Sequence, residues 1–523
     1  MKSDMASGFG QADLTLNYQH REGGVKNKKF SWKDFQVASA EFVGTFFLAF
    51  CVSATKVITI AGAAPFAIGL GLVTLVYTTG QVSGGQLNPA VTIGLVTRNK
   101  LNIFEALYCL VSQFTGAVAA GLICYALYGD DYDKTGYPKV TDGDRRTQAF
   151  FAELIQTFAL VTVVLNTATT KAQANNSYFG VAIGFVVLSG ALVIGGVTGA
   201  CFNPAISMLT ILHKDHADMW VFLIGPTIGG LLAGIVFRVT NPTEWDDDTD
   251  PLGKNFKRLT KSHHNPEGDI TRTAAMLTQE FIGTFFLVWT VAMTRNATTS
   301  GAYIAVGAIL TSMVYAGGAI SGGHYNPTVT LGVYIRGMLE NNQSMRVLDS
   351  LMYVAVQLAG GFTAAAAAAY VDGGYDKIAV PLLNLDAHTK FACVCTEFLF
   401  SFLLVLTVLN AATSSKVAGN SYFGLAIGFV ITVGGIATGD FTGGCFNPSV
   451  IISLTSVSGK GTDNIWVYLI GEILGAIVAA GVFTFWHYDD NDAAAEKYDS
   501  SIQKPIYKEV DNGTRNRLLD DRF

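Results

Sequence analysis

Glu41-Phe-Val-Gly-Thr-Phe-Phe-Leu48 decides the architecture, because it returns three times along the chain. The copies are Glu153-Leu-Ile-Gln-Thr-Phe-Ala-Leu160, Glu280-Phe-Ile-Gly-Thr-Phe-Phe-Leu287 and Glu397-Phe-Leu-Phe-Ser-Phe-Leu-Leu404. Each glutamate is followed, 46 to 50 residues later, by an Asn-Pro pair: Asn88-Pro89, Asn203-Pro204, Asn326-Pro327 and Asn447-Pro448. A fixed internal period of this kind outranks any local reading. One unit holds three helices' worth of apolar chain, two full passes and a half-helix, so successive units run in opposite directions and form an inverted pair with a path at its interface. A longer-range echo groups them further. Ser177-Tyr-Phe-Gly-Val-Ala-Ile-Gly-Phe185 returns 244 residues on as Ser421-Tyr-Phe-Gly-Leu-Ala-Ile-Gly-Phe429, the displacement that also relates Asn203 to Asn447. Units one and two therefore make a module, and units three and four duplicate it. The expected divisions are a tail at 1–34, a first module at 35–240, a linker at 241–273, a second module at 274–486 and a tail at 487–523.

The chain has 523 residues, of which 50% are apolar and 14% charged, against roughly 25% charged in soluble proteins. That deficit excludes soluble enzyme folds. A net charge of −6 offers no basic field for nucleic acid. Seven cysteines, an odd number set almost wholly in apolar stretches, read as reduced core residues and not as a disulfide framework.

Val57 to Thr97 carries no charged side chain, about twice the roughly 20 residues one crossing helix needs. It also contains Gly84, Gly85, Asn88 and Pro89, a helix break that a bilayer tolerates only where protein or a water-filled cavity satisfies the freed backbone. One crossing followed by a re-entrant segment is the economical reading. The tracts 172–213, 296–335 and 417–458 repeat it. Crossings are expected at about 35–56, 66–83, 104–128, 148–168, 178–195, 217–238, 274–295, 302–320, 347–371, 390–412, 420–437 and 464–486. Twelve spans make an all-α membrane protein with both termini on one side. Lys26, Lys28, Lys29 and Lys33, with the basic residues of the linker, place that side in the cytoplasm, although Lys139, Arg145 and Arg146 in the loop at 129–147 run against the charge rule.

Asparagine is a good helix N-cap and proline suits the first helical position, so each Asn-Pro is expected to start a half-helix at the bilayer midplane. Two positive helix ends meeting there repel cations, while the two asparagine amides donate to a passing oxygen. The arrangement favours neutral hydrogen-bonding solutes over protons and ions. The four glutamates, Glu41, Glu153, Glu280 and Glu397, are read as acceptors for the backbone of the re-entrant loops.

Gly84-Gly-Gln-Leu-Asn-Pro-Ala-Val-Thr-Ile-Gly94 with Phe202-Asn-Pro-Ala205, and Gly322-Gly-His-Tyr-Asn-Pro-Thr-Val-Thr-Leu-Gly332 with Phe446-Asn-Pro-Ser449, closely resemble the paired signatures of the aquaporins, the major intrinsic protein family. The chain looks like two complete aquaporin modules in tandem. The resemblance implies six spans and two half-helices per module, passage of water or small neutral solutes, a surrounding of membrane lipid, and assembly as four barrels, hence a homodimer of this chain. It places Asn88, Pro89, Ala90, Asn203, Pro204 and Ala205 at the first midplane. The second midplane takes Asn326, Pro327, Thr328, Asn447, Pro448 and Ser449, where Thr328 and Ser449 depart from the usual alanine.

The family's external constriction falls on Ile68, Ala191, Ala200 and Ile206 in the first module and on Val306, Gly435, Gly444 and Val450 in the second. None is arginine, histidine or aromatic, so both constrictions are expected to be wide and apolar, admitting glycerol- or urea-sized solutes. Cys201 and Cys445 are read either as packing thiols or as pore neighbours, and His324, aligned with Gln86, as a lining residue or a structural hydrogen-bonding one. Asn296-Ala-Thr298 is a sequon for glycan on a predicted external loop. The expected site is the plasma membrane or a vacuolar membrane.

No nucleophile, metal-ligand cluster or phosphate loop stands out in the sequence, so neither an enzyme nor a cofactor is expected. Two rival functions share the topology. A twelve-span secondary transporter would carry ionisable groups along its path, and a closed junction or scaffold protein would conduct nothing.

Overall fold

The computed structural model describes residues 30–55, 62–245, 270–341 and 345–487. The first module comprises α1 (Trp32–Thr55), α2 (Ala64–Ser83), α3 (Pro89–Thr97), α4 (Ile103–Tyr128), α5 (Arg146–Ala168), α6 (Phe179–Thr198), α7 (Met208–Leu212) and α8 (Met219–Thr240). The second comprises α9 (Ile270–Met293), α10 (Thr299–Ser321), α11 (Pro327–Leu339), α12 (Val347–Asp372), α13 (Lys390–Ala412), α14 (Phe423–Thr442), α15 (Pro448–Ser458) and α16 (Ile465–Trp486). Twelve of these helices are long and apolar enough to cross a membrane, and no strand occurs among the described residues. Lys26, Lys28, Lys29 and the basic residues of 246–269 lie outside the described residues.

Local chemistry sets the helix limits. The Asn102 side chain accepts the Glu105 N–H at 2.9 Å to start α4, and the hydroxyls of Thr298 and Thr389 cap α10 and α13 at 3.2 Å, each relieving an orphan donor of a first turn. The four helices that precede a re-entrant segment, α2, α6, α10 and α14, all stop at a glycine with φ between 76° and 91°: Gly84, Gly199, Gly322 and Gly443. Only glycine takes that left-handed turn at little cost.

In the first module α1 packs on α4, α2 on α6 and α5 on α8; α9 and α12, α10 and α14, and α13 and α16 repeat the pattern. The α2 and α6 backbones cross where Gly69 and Gly184 face each other, and Gly307 and Gly428 do the same for α10 and α14. In lipid such close approach is a main source of helix association.

The modules meet along α5, α6 and α8 of the first and α9, α10 and α12 of the second. Tyr178 stacks on Tyr315 at 4.1 Å with Phe423 edge-on to both, and Phe158 stacks on Phe286 at 5.9 Å. The Ser312 hydroxyl donates to the Ala182 carbonyl at 2.9 Å, and Ser177 meets its own repeat mate Ser421 at 2.9 Å. The faces related to these by the repeat stay open: Phe47 and Leu70 on α1 and α2, and Leu399 and Phe429 on α13 and α14, are each about half exposed.

One expectation about the half-helices fails. Asn203-Pro204 does not open a full half-helix, because residues 204–207 form turns and α7 is five residues long. Successive bonds from Ile206, Met208, Leu209 and Thr210 to carbonyls three residues back hold these turns. Ser207 and Thr210 hydroxyls also return to carbonyls three residues back, at 2.6 and 2.7 Å. In α15 the positions of Ser207 and Thr210 are taken by Ile451 and Leu454, and the hydroxyls present, Ser453 and Thr455, reach four residues back, compatible with an α-helix of eleven residues. Such side-chain bonds compete with regular backbone pairing.

Candidate functional site

Each re-entrant loop is tied to a glutamate. Glu41 accepts the Gln86 and Leu87 N–H groups at 3.0 and 2.7 Å, the Ser83 hydroxyl at 2.5 Å and the Gln113 amide at 2.8 Å. Glu280 repeats this with His324 N, Tyr325 N, Ser321 and Gln357 at 2.9, 2.7, 2.6 and 2.9 Å. Glu153 accepts the Cys201 and Phe202 N–H groups, and Glu397 those of Cys445 and Phe446 together with the Thr442 hydroxyl. All four carboxylates are fully buried. The backbone turns its donors inward because the residue before each asparagine is left-handed: Leu87, Phe202, Tyr325 and Phe446 have φ of 49° to 54°. A non-glycine residue in that region costs about 1–2 kcal/mol, which charge-assisted hydrogen bonds to the carboxylate offset.

The asparagines then cross between loops. Asn88 Nδ2 donates to the Phe202 carbonyl at 2.8 Å while Asn203 Nδ2 donates to the Leu87 carbonyl at 2.9 Å. Asn326 and Asn447 reach the Phe446 and Tyr325 carbonyls at 2.8 and 3.0 Å. Each asparagine Oδ1 caps its own motif by accepting from Ala90, Ala205, Thr328 or Ser449 at 2.8 to 2.9 Å. An amide nitrogen has two N–H groups; one bridges the loops, and the other remains for the lumen these asparagines line. Pro89, Pro204 and Pro448 are buried and Pro327 partly so. The added hydroxyls of Thr328 and Ser449 are buried with no hydrogen-bond partner.

Both modules enclose a cavity along this path. In the second it is about 190 Å3, runs from His324 past Asn326 and Asn447 to Val306, Gly444 and Val450, and is lined also by Tyr303 and Pro381. In the first it is about 30 Å3, bounded by Gln86, Asn88 and Asn203 and by Ile68, Ala200 and Ile206. Cys201 and Cys445 line the two cavities, each thiol donating to the carbonyl of the following asparagine at 3.1 and 3.4 Å. His324 Nδ1 lies 3.1 Å from the Thr330 hydroxyl. Asn296 is exposed, its amide 3.4 Å from Asp372.

The constriction differs from the expectation in three ways. Ala191 and Gly435 are buried outside the cavity walls. An aromatic residue is present in the second module, where the Tyr303 ring covers Gly435 and lines the cavity. The first cavity is not wide: at about 30 Å3 it is lined by the branched side chains of Ile68, Ile206, Leu72 and Leu160. Sequence reading also passed over Glu472 on α16. This fifth fully buried carboxylate stands where α8 has Pro226, beside Glu397, Cys445 and Asn447, and neither of its oxygens has a hydrogen-bond partner of good geometry. Its signal is visible in the sequence, as the one acid between Ile465 and Trp486.

The sequence profile of the family described as major intrinsic protein matches residues 28–237 and again 272–483. Nodulin-26 of Glycine max is 33% identical over 214 residues, which is 39% of this chain and 78% of that protein. Aquaporin PIP1-1 of Arabidopsis thaliana is 34% identical over 226 residues, 39% of this chain and 79% of its own length. The solved structure of the aquaglyceroporin from Plasmodium falciparum covers 42% of this chain and 99% of its own at 22% identity, with a TM-score of 0.36.

Proposed function

This chain belongs to the major intrinsic protein family, with two copies of the family's domain in tandem, and on that footing we propose that it is a passive channel with one pore in each module. It passes water and neutral solutes of glycerol or urea size and resists protons and ions. The observation that carries this reading is the crossed asparagine pair: in each module two amides from opposed loops face one cavity. Relatives named as aquaporins agree with it.

The two pores divide the work by size. A water needs about 10–15 Å3 of internal space, so the first cavity of about 30 Å3 admits a file of single waters. The second, about 190 Å3, takes a polyol or urea with its hydrogen bonds supplied by Asn326 and Asn447. Cations meet the positive ends of α11 and α15 in the second pore, and that of α3 with the turn N–H groups after Asn203 in the first. Purified protein in liposomes should give unsaturable swelling with water, glycerol and urea that depends on no ion gradient. Absence of any flux would leave a structural protein on this fold, and saturable, ion-coupled flux would make it a transporter.

Two chains complete the particle. The internal interface joins the α5/α6 face of one module to the α9/α10 face of the next, and the open faces on α13/α14 and α1/α2 are the repeat equivalents of the same two surfaces. Continuity of that interface brings Tyr422 of one chain onto Tyr77 of another as Tyr178 meets Tyr315, and Phe402 onto Phe47 as Phe158 meets Phe286. A dimer by native mass measurement is expected, and a particle of four chains would refute the closure. The face carrying the start of α1 is cytoplasmic, and the Asn296 sequon on the opposite face is open to glycan; a glycosidase-sensitive shift in mass, lost in Asn296→Gln, checks both.

A further inference from the structure

Tyr303 lies in the second turn of α10. Its counterpart in the first module is Pro65, which sits in the first turn of α2 and fixes that helix's start. Lacking that proline, α10 begins a turn earlier, at Thr299 under the Thr298 cap, and in place of the proline Tyr303 stands three residues, about one helical turn, before Val306. The ring lies along α14 over Gly435 and Gly439. A methyl at Gly435 would overlap the ring and a methyl at Gly439 would overlap the hydroxyl. In the first module the position of Gly435 is taken by Ala191, so the same seat is not available there. Tyr303 is partly exposed and shares the cavity wall with Val306, Gly444 and Val450.

From this geometry we infer that the Tyr303 ring sets the size limit of the second pore and that Gly435 is the positioning residue that keeps the ring against α14, out of the lumen. The inference rests on the channel reading above. Flat against the helix, the ring narrows one wall without closing the path. Pushed off α14, the ring moves toward the cavity that it already lines.

The test uses full-length chain carrying Ile206→Arg, which fills the first pore's constriction, so that glycerol and urea flux reports on the second. Gly435→Ala should cut glycerol flux about tenfold while water falls less, in line with the discrimination one added carbon brings to a tight apolar site. Tyr303→Ala should raise passage of larger polyols relative to water, and Gly435→Ala combined with Tyr303→Ala should restore glycerol. Tyr303→Phe should keep the original solute ratio. Membrane yield and a monodisperse particle are checked for each, and Tyr303→Ala, which removes a partly exposed ring, decides if Gly435→Ala does not fold. An unchanged solute ratio in Tyr303→Ala overturns the inference, as does a Tyr303→Phe effect equal to that of alanine. Glycerol flux lost entirely in the Ile206→Arg parent overturns it too, by showing the second pore silent, while the channel reading stands on the flux of the unmodified chain. A wild-type chain that passes nothing overturns both readings at once.

Discussion

The two modules keep the same anchors and differ at the lumen. Glutamate to loop backbone, asparagine to opposite carbonyl and glycine at the helix stop all occur in both copies. Lining and near-lining positions have diverged instead: Pro65 against Tyr303, Ala191 against Gly435, Pro226 against Glu472, and a five-residue α7 against an eleven-residue α15. Polar pins cannot drift, because a lost partner strands a buried donor in apolar surroundings. Wall residues can exchange bulk with only local repacking, so duplicated pores separate first in what they admit.

The largest test of that contrast is to break a pin. Glu280→Ala strands two backbone N–H groups, the Ser321 hydroxyl and the Gln357 amide. It should cost on the order of 5 kcal/mol, read as loss of monodisperse protein or a much lower thermal midpoint in detergent. The carboxylate without partners should behave oppositely. Glu472→Leu removes a buried acid that receives no good hydrogen bond, and a gain of about 2 kcal/mol is expected; a loss of stability would mean that Glu472 has a partner in the membrane.

Smaller effects separate the pores. Asn326→Asp with Asn447→Asp should lower glycerol flux about tenfold, equivalent to about 1.4 kcal/mol of barrier, because each carboxylate faces a carbonyl where an amide had donated. The same pair of changes at Asn88 and Asn203 should lower water flux and leave most of the glycerol flux, and equal solute profiles for the two double variants would erase the proposed division. Val450→Arg should likewise suppress glycerol more than Ile206→Arg does. Least of all, Tyr422→Ala should weaken chain pairing by about 1 kcal/mol, the usual worth of one aromatic contact, measured as a shift in the dimer dissociation midpoint.

The fold was legible because two signals agreed: uncharged tracts twice the length of a span, and a glutamate and an Asn-Pro pair in register four times over. Constriction positions were less legible, since spacing along one helix names a residue without saying what covers it. Gly435 reads as an open wall until Tyr303, three residues before Val306 on another helix, is laid upon it. Glu472 was missed for the opposite reason: attention to what repeats passes over the one acid that breaks the repeat. The turns after Asn203 do have a local signal, Ser207 and Thr210 where α15 carries Ile451 and Leu454, but it shows only beside the second copy.

The crossed asparagines bear on how the chain is made. Leu87 and Phe202 offer their carbonyls to amides 116 and 114 residues away in sequence, so neither loop can finish its hydrogen bonding while its mate is still in the ribosome. During synthesis the first loop of each module must wait, dipping into the bilayer with its Glu41 or Glu280 ties made and its amide bridge open, until the second half has been inserted. Biogenesis thus has a natural checkpoint at the end of α8 and another at the end of α16. A chain stopped between them would leave the translocon with one finished barrel and no obligation to the next.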